Sequence, residues 1–268
     1  MEAKQIFRSA ALACVFSLGT GCISSTQTKP ASDQLVENQK ITFPILAGKS
    51  VDLQIDIFQR VRKKGGIYFY GQEYDPEDIE IKAIERTADE EMQRNWLIED
   101  VRLSLKTNDQ LDYFEKSLEQ AIEHSGANLS SSDDADYTLE AKLTFGPTPA
   151  PAYQSYNLGK SMGVGLLTLG LGPKSYSAET DYEVQFVLKD SAGRIFTDYS
   201  QTIREEKEVM KHNLNISRHK QVRDIAFEIF RLSLAENLAS FSSEISKICS
   251  GSCQSAPDSS ISLKTPVN

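Results

Sequence analysis

One serine stands in a spacing that is typical of a hydrolase nucleophile. Gly159-Lys160-Ser161-Met162-Gly163 matches Gly-x-Ser-x-Gly, a pattern in which a sharp strand-to-helix turn exposes the serine hydroxyl for attack on a carbonyl carbon. Aspartates and histidines follow in the chain order that such enzymes use. A proline-rich stretch precedes Ser161 and glycines crowd the residues after it, so the strand and helix that the turn needs are not indicated. The hydrolase using Ser161 is therefore kept as the alternative function.

The sequence gives even weaker evidence for two other kinds of site, a phosphate-binding loop and a metal site. Gly159-Lys160-Ser161 matches the end of a phosphate-binding loop, but Gln154 occupies the position where that motif needs its first glycine. His124, His212 and His219 are the only histidines, and no pair of them has a carboxylate at metal-ligand spacing. The sequence predicts no metal, no cofactor and no catalytic residue.

A cysteine near the N-terminus, Cys22, is placed for covalent modification. Lys4 and Arg8 give a short positive region, Ser9 to Leu18 is apolar, and small residues occupy 19–21. This order is typical of a secretory signal peptide. The apolar run is too short to cross a bilayer, which takes about 18 to 20 residues.

The small residues that end at Cys22 resemble the lipobox of bacterial lipoproteins. In that family the cysteine thiol receives a diacylglyceryl group, the signal is cut directly before it, and the new N-terminus is acylated with fatty acids such as palmitate. One departure is Gly19, where the family usually has leucine. The resemblance implies a lipid anchor on Cys22. Because Ile23 is not aspartate, it also implies the outer membrane, with the protein facing the periplasm. A plain signal peptide with an incidental cysteine is the alternative.

The net charge bears on which classes of partner are expected, and the cysteine content bears on the cellular compartment. The 268-residue chain has a formal net charge of -9, which argues against nucleic acid as a partner because that requires a basic surface. Cys249 and Cys253 flank three small residues near the C-terminus. In an oxidising periplasm they can close a disulfide, and two free thiols are the alternative.

The chain divides into four regions by composition. Residues 1–21 form the signal peptide, and 22–40 are polar and predict a disordered tether. Residues 41–248 form the folded domain. Residues 249–268 are polar with two prolines and predict a disordered tail.

Periodicity within 41–248 predicts strands and two helices. Helix-type spacing marks one helix after Asn108 that Gly126 stops, and a long one from Ser217 to Gly251. Two-residue alternation predicts strands, and we list them here: 41–47 as an edge strand, 51–57, 67–70, 97–105, 137–145, and a hairpin of 182–188 with 194–203. Residues 76–94 give conflicting signals. The order of elements predicts an α+β fold with a mostly antiparallel sheet and two main helices packed on one face.

The order and texture of residues 97–248, with the segments DADYTLEAKLTF and AETDYEVQFVLKDSAGRIF before the long helix, resemble small envelope-assembly lipoproteins. The lipopolysaccharide-assembly and curli-secretion lipoproteins are examples. This resemblance implies a periplasmic domain that takes part in assembly, and it transfers no functional residue.

Residues 147–173 stand apart from the rest of the domain. The segment begins proline-rich, becomes apolar and glycine-rich, and is predicted as a long loop. Its apolar residues either pack beneath the domain or contact a membrane or a partner; they are Val164, Leu166, Leu167, Leu169 and Leu171. Together these features predict a non-catalytic, lipid-anchored protein that binds another envelope protein or lipid. A self-assembling envelope scaffold is a further alternative.

Overall fold

The computed structural model confirms the predicted α+β class and the mostly antiparallel sheet. The signal peptide, the tether at 22–40, the strand predicted at 67–70 and the tail from 254 onward lie outside the described residues. The structure describes residues 41–63, 75–87, 96–99, 101–131, 134–156, 158–167, 174–211 and 218–253.

Nine strands and three α-helices occur in these described stretches. In chain order they are β1 (Ser50–Arg62), β2 (Ile79–Arg86), β3 (Trp96–Ile98), β4 (Val101–Arg102), α1 (Leu105–His124), β5 (Asn128–Leu129), β6 (Tyr137–Phe145), β7 (Ala152–Tyr156), α2 (Leu158–Leu167), β8 (Lys174–Asp190), β9 (Ile195–Lys211) and α3 (Arg218–Cys253).

The centre of the sheet is formed by β1 and β6, which run parallel with Val51 opposite Tyr137. β2 continues the sheet antiparallel beyond β1, and β8 does so beyond β6. β7 lies along the same side of β8 as β6, further toward the start of β8, and β9 pairs with the opposite side of β8. The long β8–β9 hairpin turns at Asp190, whose side chain accepts hydrogen bonds from the backbone N–H groups of Ala192 and Arg194 at 2.9 and 3.0 Å.

An aromatic core joins one face of the sheet to both long helices, as predicted. The Phe186 ring on β8 lies 5.3 Å from Phe241 of α3 and 6.5 Å from Phe114 of α1. The Tyr182 hydroxyl is buried against Ser233 at 2.7 Å, and burial raises the pKa of Tyr182 well above its usual value.

The first helix has the buried face that its spacing predicts, but it begins earlier. Ser104 caps it by accepting a hydrogen bond from the Thr107 N–H at 3.2 Å, so Asn108, after which we predicted the helix to start, lies inside it. Gly126 follows its end at φ +73°, as a glycine stop requires. The predicted apolar face is buried throughout: Leu111, Phe114, Leu118, Ala121 and Ile122.

Two strand predictions need correction, and one undecided stretch can be assigned in part. Residues 41–47 contain a short 3-10 helix at Pro44–Leu46 instead of an edge strand, and Phe43 and Leu46 anchor the segment in the core. The strand predicted at 97–105 is divided into the end of β3, the short β4 and the start of α1, and Glu99 at φ +48° lies between the two strands. Residues 76–86 of the undecided stretch form two consecutive elements, a 3-10 turn capped by Asp75 and then β2, while 88–94 lie outside the described residues.

The last helix is confirmed and extends further than predicted. α3 continues through Gly251 to Cys253, residues that we predicted to end the helix and begin the tail. None of the described helices is long and apolar enough to span a membrane.

Candidate functional site at the start of β8

The predicted loop at 147–173 contains regular structure in its described part. β7 pairs antiparallel with β8, with Ala152 opposite Thr180. The side-chain amide of Gln110 on α1 brackets Ala152, since it accepts from the Ala152 N–H and donates to the Ala152 C=O, both at 2.8 Å. The loop prediction was wrong because these partners lie far away in the sequence and leave no local periodicity.

The apolar helix α2 follows β7 and lies against the start of β8. Ser161 is buried, and its Oγ accepts a hydrogen bond from the Ser175 N–H at 3.0 Å. The opposite side of the helix is apolar and in solvent, because Met162 is 58%, Leu166 78% and Leu167 88% exposed. Hydrogen bonding to Ser175 thus fixes the inner side of α2, while the apolar side chains of Met162, Leu166 and Leu167 are exposed.

Two of the five residues predicted to form a contact surface can be placed. Leu166 and Leu167 are exposed, which is not the burial that packing beneath the domain would give. The side chain of Val164, and the whole of Leu169 and Leu171, lie outside the described residues.

At the end of the sheet that α2 contacts, serine hydroxyls of β7 and β8 donate hydrogen bonds to carboxylates. The Ser175 hydroxyl donates to Glu208 at 2.6 Å, and the Ser177 hydroxyl donates to Glu206 at 2.5 Å. Ser155 on β7 donates to Glu179. Sequence analysis missed this cluster, although the alternation of Ser175, Ser177 and Glu179 on β8 marks them as one face of a strand.

Glu179 is the most buried of these carboxylates. Only 1% of the residue is exposed, and its Oε2 has no hydrogen-bond partner among the described residues. Burial raises the pKa of Glu179 more than the hydroxyls of Ser155 and Tyr153 lower it, and the nearby Glu206 adds to the rise.

The geometry around Ser161 differs from that of a nucleophile elbow. Ser161 lies inside α2 rather than at the turn before it, and the hydroxyl is already bonded to the backbone of β8. β7 and β8 are antiparallel, whereas the elbow is built in a parallel sheet. These observations do not favour the hydrolase interpretation.

The remaining predicted sites lie elsewhere or outside the described residues. Cys22 is not described. Cys249 is half-buried near the end of α3 with a free thiol, and the side chain of Cys253 lies outside the described residues, so the disulfide stays a prediction. In the described part of the chain, no group of three or more His, Cys, Asp or Glu side chains is placed to hold a metal ion.

Comparison with known proteins adds little to this geometry. No protein-family model matches the chain, and no curated protein matches it. The chain is similar to a solved structure described as a neuraminyllactose-binding hemagglutinin homolog from Helicobacter pylori, at 7% sequence identity and a TM-score of 0.32. That match covers 75% of this chain and 92% of the other. At this level the similarity supports no functional argument.

Proposed function

We propose that this chain is a lipid-anchored, non-catalytic binding protein of the bacterial cell envelope. Lipid on Cys22 holds it in the outer membrane, and its α+β domain faces the periplasm. The domain binds another envelope component through the exposed apolar side chains of α2. The observation that supports this proposal is the outward orientation of Met162, Leu166 and Leu167, since exposed apolar groups of this size mark interaction surfaces.

The position of α2 favours a protein partner over the anchoring membrane. The tether joins the domain at Ile41, and the adjacent Phe43 N–H donates to Ser125 at the end of α1. This end of the domain lies near the β8–β9 turn, because Val51 is opposite Tyr137 and Tyr137 is opposite Asp190. α2 contacts Ser175, which is fifteen residues or about 50 Å away along β8.

Charge along the sequence also sets this region apart from the rest of the chain. Between Glu140 and Glu179 there is no acidic residue, and the charged residues are Lys142, Lys160 and Lys174. The whole chain nevertheless has a net charge of -9. In the fold, however, the carboxylates of Glu206 and Glu208 lie beside the start of β8, so the apolar character of α2 is what specifies its partner surface.

Site-specific photo-crosslinking in cells that produce the full chain tests this proposal. A photoreactive residue at Leu166 is compared with one at Ile195, an exposed apolar residue (62%) beside the β8–β9 turn. We expect a discrete protein adduct from position 166 and none from position 195. Adducts with lipid alone would move the contact to the membrane, and equal labelling from both positions would contradict the proposal.

The anchor needs a separate measurement. We expect labelled palmitate to enter the parent chain and not a Cys22→Ser variant, which should be released from the outer membrane. If the Cys22→Ser chain stays in the membrane and the parent incorporates no fatty acid, the anchoring part of the proposal is wrong.

A further inference from the structure

A second candidate binding surface lies along β1, on the side of this strand that faces away from β6. On the side away from β6, β1 pairs with β5 at Ser50 and Val51 and with β2 from Ile57 onward. Among the described residues, no strand pairs with this side of β1 between these two contacts.

The backbone of this stretch points into the gap. On the same side of β1, the Val51 C=O accepts from the Ser130 N–H and the Lys63 N–H donates to the Asp78 C=O, both at 2.9 Å. Backbone groups of alternate residues in a strand point the same way, so the N–H and C=O groups of Leu53 and Ile55 also face this side. The gap from Val51 to Ile57 is about 20 Å long, which suits a short extended segment of about five residues.

A cleft of about 770 Å³ lies along this open edge. Its walls are α1 on one side and the ends of β2 and β3 on the other. Arg86 of β2 forms a two-oxygen ion pair with Glu115 of α1, and the Trp96 indole N–H donates to Asp112 of α1 at 2.9 Å. Arg86 also lies 5.4 Å from the centre of the Trp96 ring. These contacts fix the distance between α1 and the ends of β2 and β3.

The lining of the cleft is strongly acidic. The cleft is lined by five carboxylates and by one guanidinium group, that of Arg86, which is already paired with Glu115. The carboxylates belong to Asp52, Asp56, Glu85, Glu115 and Glu119. Half-buried Leu53 and Ile55, which alternate with Asp52 and Asp56 across the two faces of β1, add apolar surface to the lining. The pKa of Glu115 is raised mainly by burial and further by the nearby carboxylates of Glu119 and Asp112, which agrees with an excess of negative charge.

We propose that this cleft binds an extended, cationic peptide segment of a partner protein, which adds a short strand to β1 and places Lys or Arg side chains among the carboxylates. Strand addition satisfies the open backbone groups, and pockets for alternate side chains give specificity. The acidic lining selects cationic side chains by complementary charge. This binding is independent of the α2 surface.

The chain contains a built-in reporter for the test. Trp96 is its only tryptophan and lines the cleft. The full chain is titrated with a peptide of alternating Lys and Val, and Trp96 fluorescence is followed. Two control peptides have the same length: one alternates Glu and Val, and the other keeps Lys and Val but is methylated at backbone nitrogens.

We expect a saturable fluorescence change with the Lys–Val peptide below about 1 mM. Backbone methylation should weaken binding by about tenfold, because it removes hydrogen-bond donors from the added strand. The Glu–Val peptide should not bind. No saturable change with the Lys–Val peptide would overturn the proposal, and so would equal binding of the methylated peptide.

Two variants on one helix separate this site from general attraction of cations to an acidic protein. Glu119 lines the cleft, while Glu123 is exposed one turn further along α1 and does not. Glu119→Gln should weaken Lys–Val binding by about threefold, and Glu123→Gln should leave it unchanged. Equal weakening by both variants would show non-specific attraction and would contradict a site in the cleft.

Discussion

α2 and α3 both contact β8, but they orient their apolar side chains differently. α3 packs Phe230, Phe241 and its other buried apolar residues against the sheet. α2 bonds to the sheet through Ser161 and leaves Leu166 and Leu167 in solvent. Apolar burial stabilises the fold at α3, whereas the exposed apolar side of α2 contributes little to the fold and is available for binding.

The largest effect should come from the aromatic core beneath α3. Phe241 is fully buried, with ring centres 5.5 Å from Phe43 and 5.3 Å from Phe186. Phe241→Ala should lower the free energy of unfolding by about 3 to 5 kcal/mol, because it leaves a cavity in close-packed surroundings. The exposed Ser243→Ala on the same helix should stay within about 0.5 kcal/mol. Denaturant unfolding measures both variants. If Phe241→Ala lowers the free energy of unfolding by less than about 1 kcal/mol, the claim that α3 stabilises the fold by apolar burial is contradicted.

The next effect should come from the buried carboxylate near α2. Because burial raises the pKa of Glu179, the folded protein binds this proton more tightly than the unfolded chain does. The resulting stability is fully present below the ordinary glutamate pKa of about 4.3. It is lost as the pH rises through the raised folded pKa.

Glu179→Gln should remove this pH dependence. The amide oxygen can still accept from Ser155, and no charge is buried. We expect the variant to be more stable than the parent by about 1 to 2 kcal/mol near neutral pH, since an unsatisfied buried charge is costly. At about pH 4 the two should be nearly equal. Thermal unfolding across this range measures the difference, and a variant that is less stable at every pH would contradict the role assigned to burial.

A smaller effect should follow from releasing the inner side of α2. Ser161→Ala removes the acceptor of the Ser175 N–H and should destabilise the protein by about 1 kcal/mol. Hydrolysis of a nitrophenyl ester should not change, because the hydroxyl is engaged in structure. An ester hydrolysis by the parent that Ser161→Ala abolishes would instead support the hydrolase.

The smallest effect on stability should come from the outer side of α2. Leu166→Ser combined with Leu167→Ser should change the free energy of unfolding by no more than about 0.5 kcal/mol, since both side chains are already in solvent. The same variant should lose the partner adduct formed by a photoreactive residue at Met162. Destabilisation by more than about 2 kcal/mol would show that α2 packs inward, and the contrast with α3 would fail.

The sequence predicts the parts of this fold that have long, regular periodicity. Tyr137–Phe145 is a strand at the predicted bounds, and the apolar stripe of α1 is buried as its spacing indicates. The hairpin predicted from 182–188 and 194–203 is also present as β8 and β9, although both strands are longer than predicted. In each case the local sequence predicts the element, because apolar residues recur along one face of it at a regular spacing.

Features that depend on distant partners could not be predicted in this way. β7 has five residues and is defined by its pairing with β8 and by the Gln110 amide. α2 is rich in glycine, which obscures a helix signal. The cleft exists because β2 and β5 leave part of β1 unpaired, and no local pattern reports a missing neighbour. The candidate contact residues were identified from their apolar character alone, and their direction required the structure.

Oxidation of Met162 in place is the measurement that tests the central claim most directly. Methionine oxidation follows exposure, and Met162 is 58% exposed on the outer side of α2. Cells that produce the full chain and the purified protein in detergent are treated with a mild oxidant, and Met162 sulfoxide is quantified by mass spectrometry. If α2 is a binding surface, Met162 should oxidise at least about threefold more slowly in the envelope than in the purified protein. Equal rates in the two settings would mean that nothing covers this surface where the protein works, and the proposed function would be contradicted.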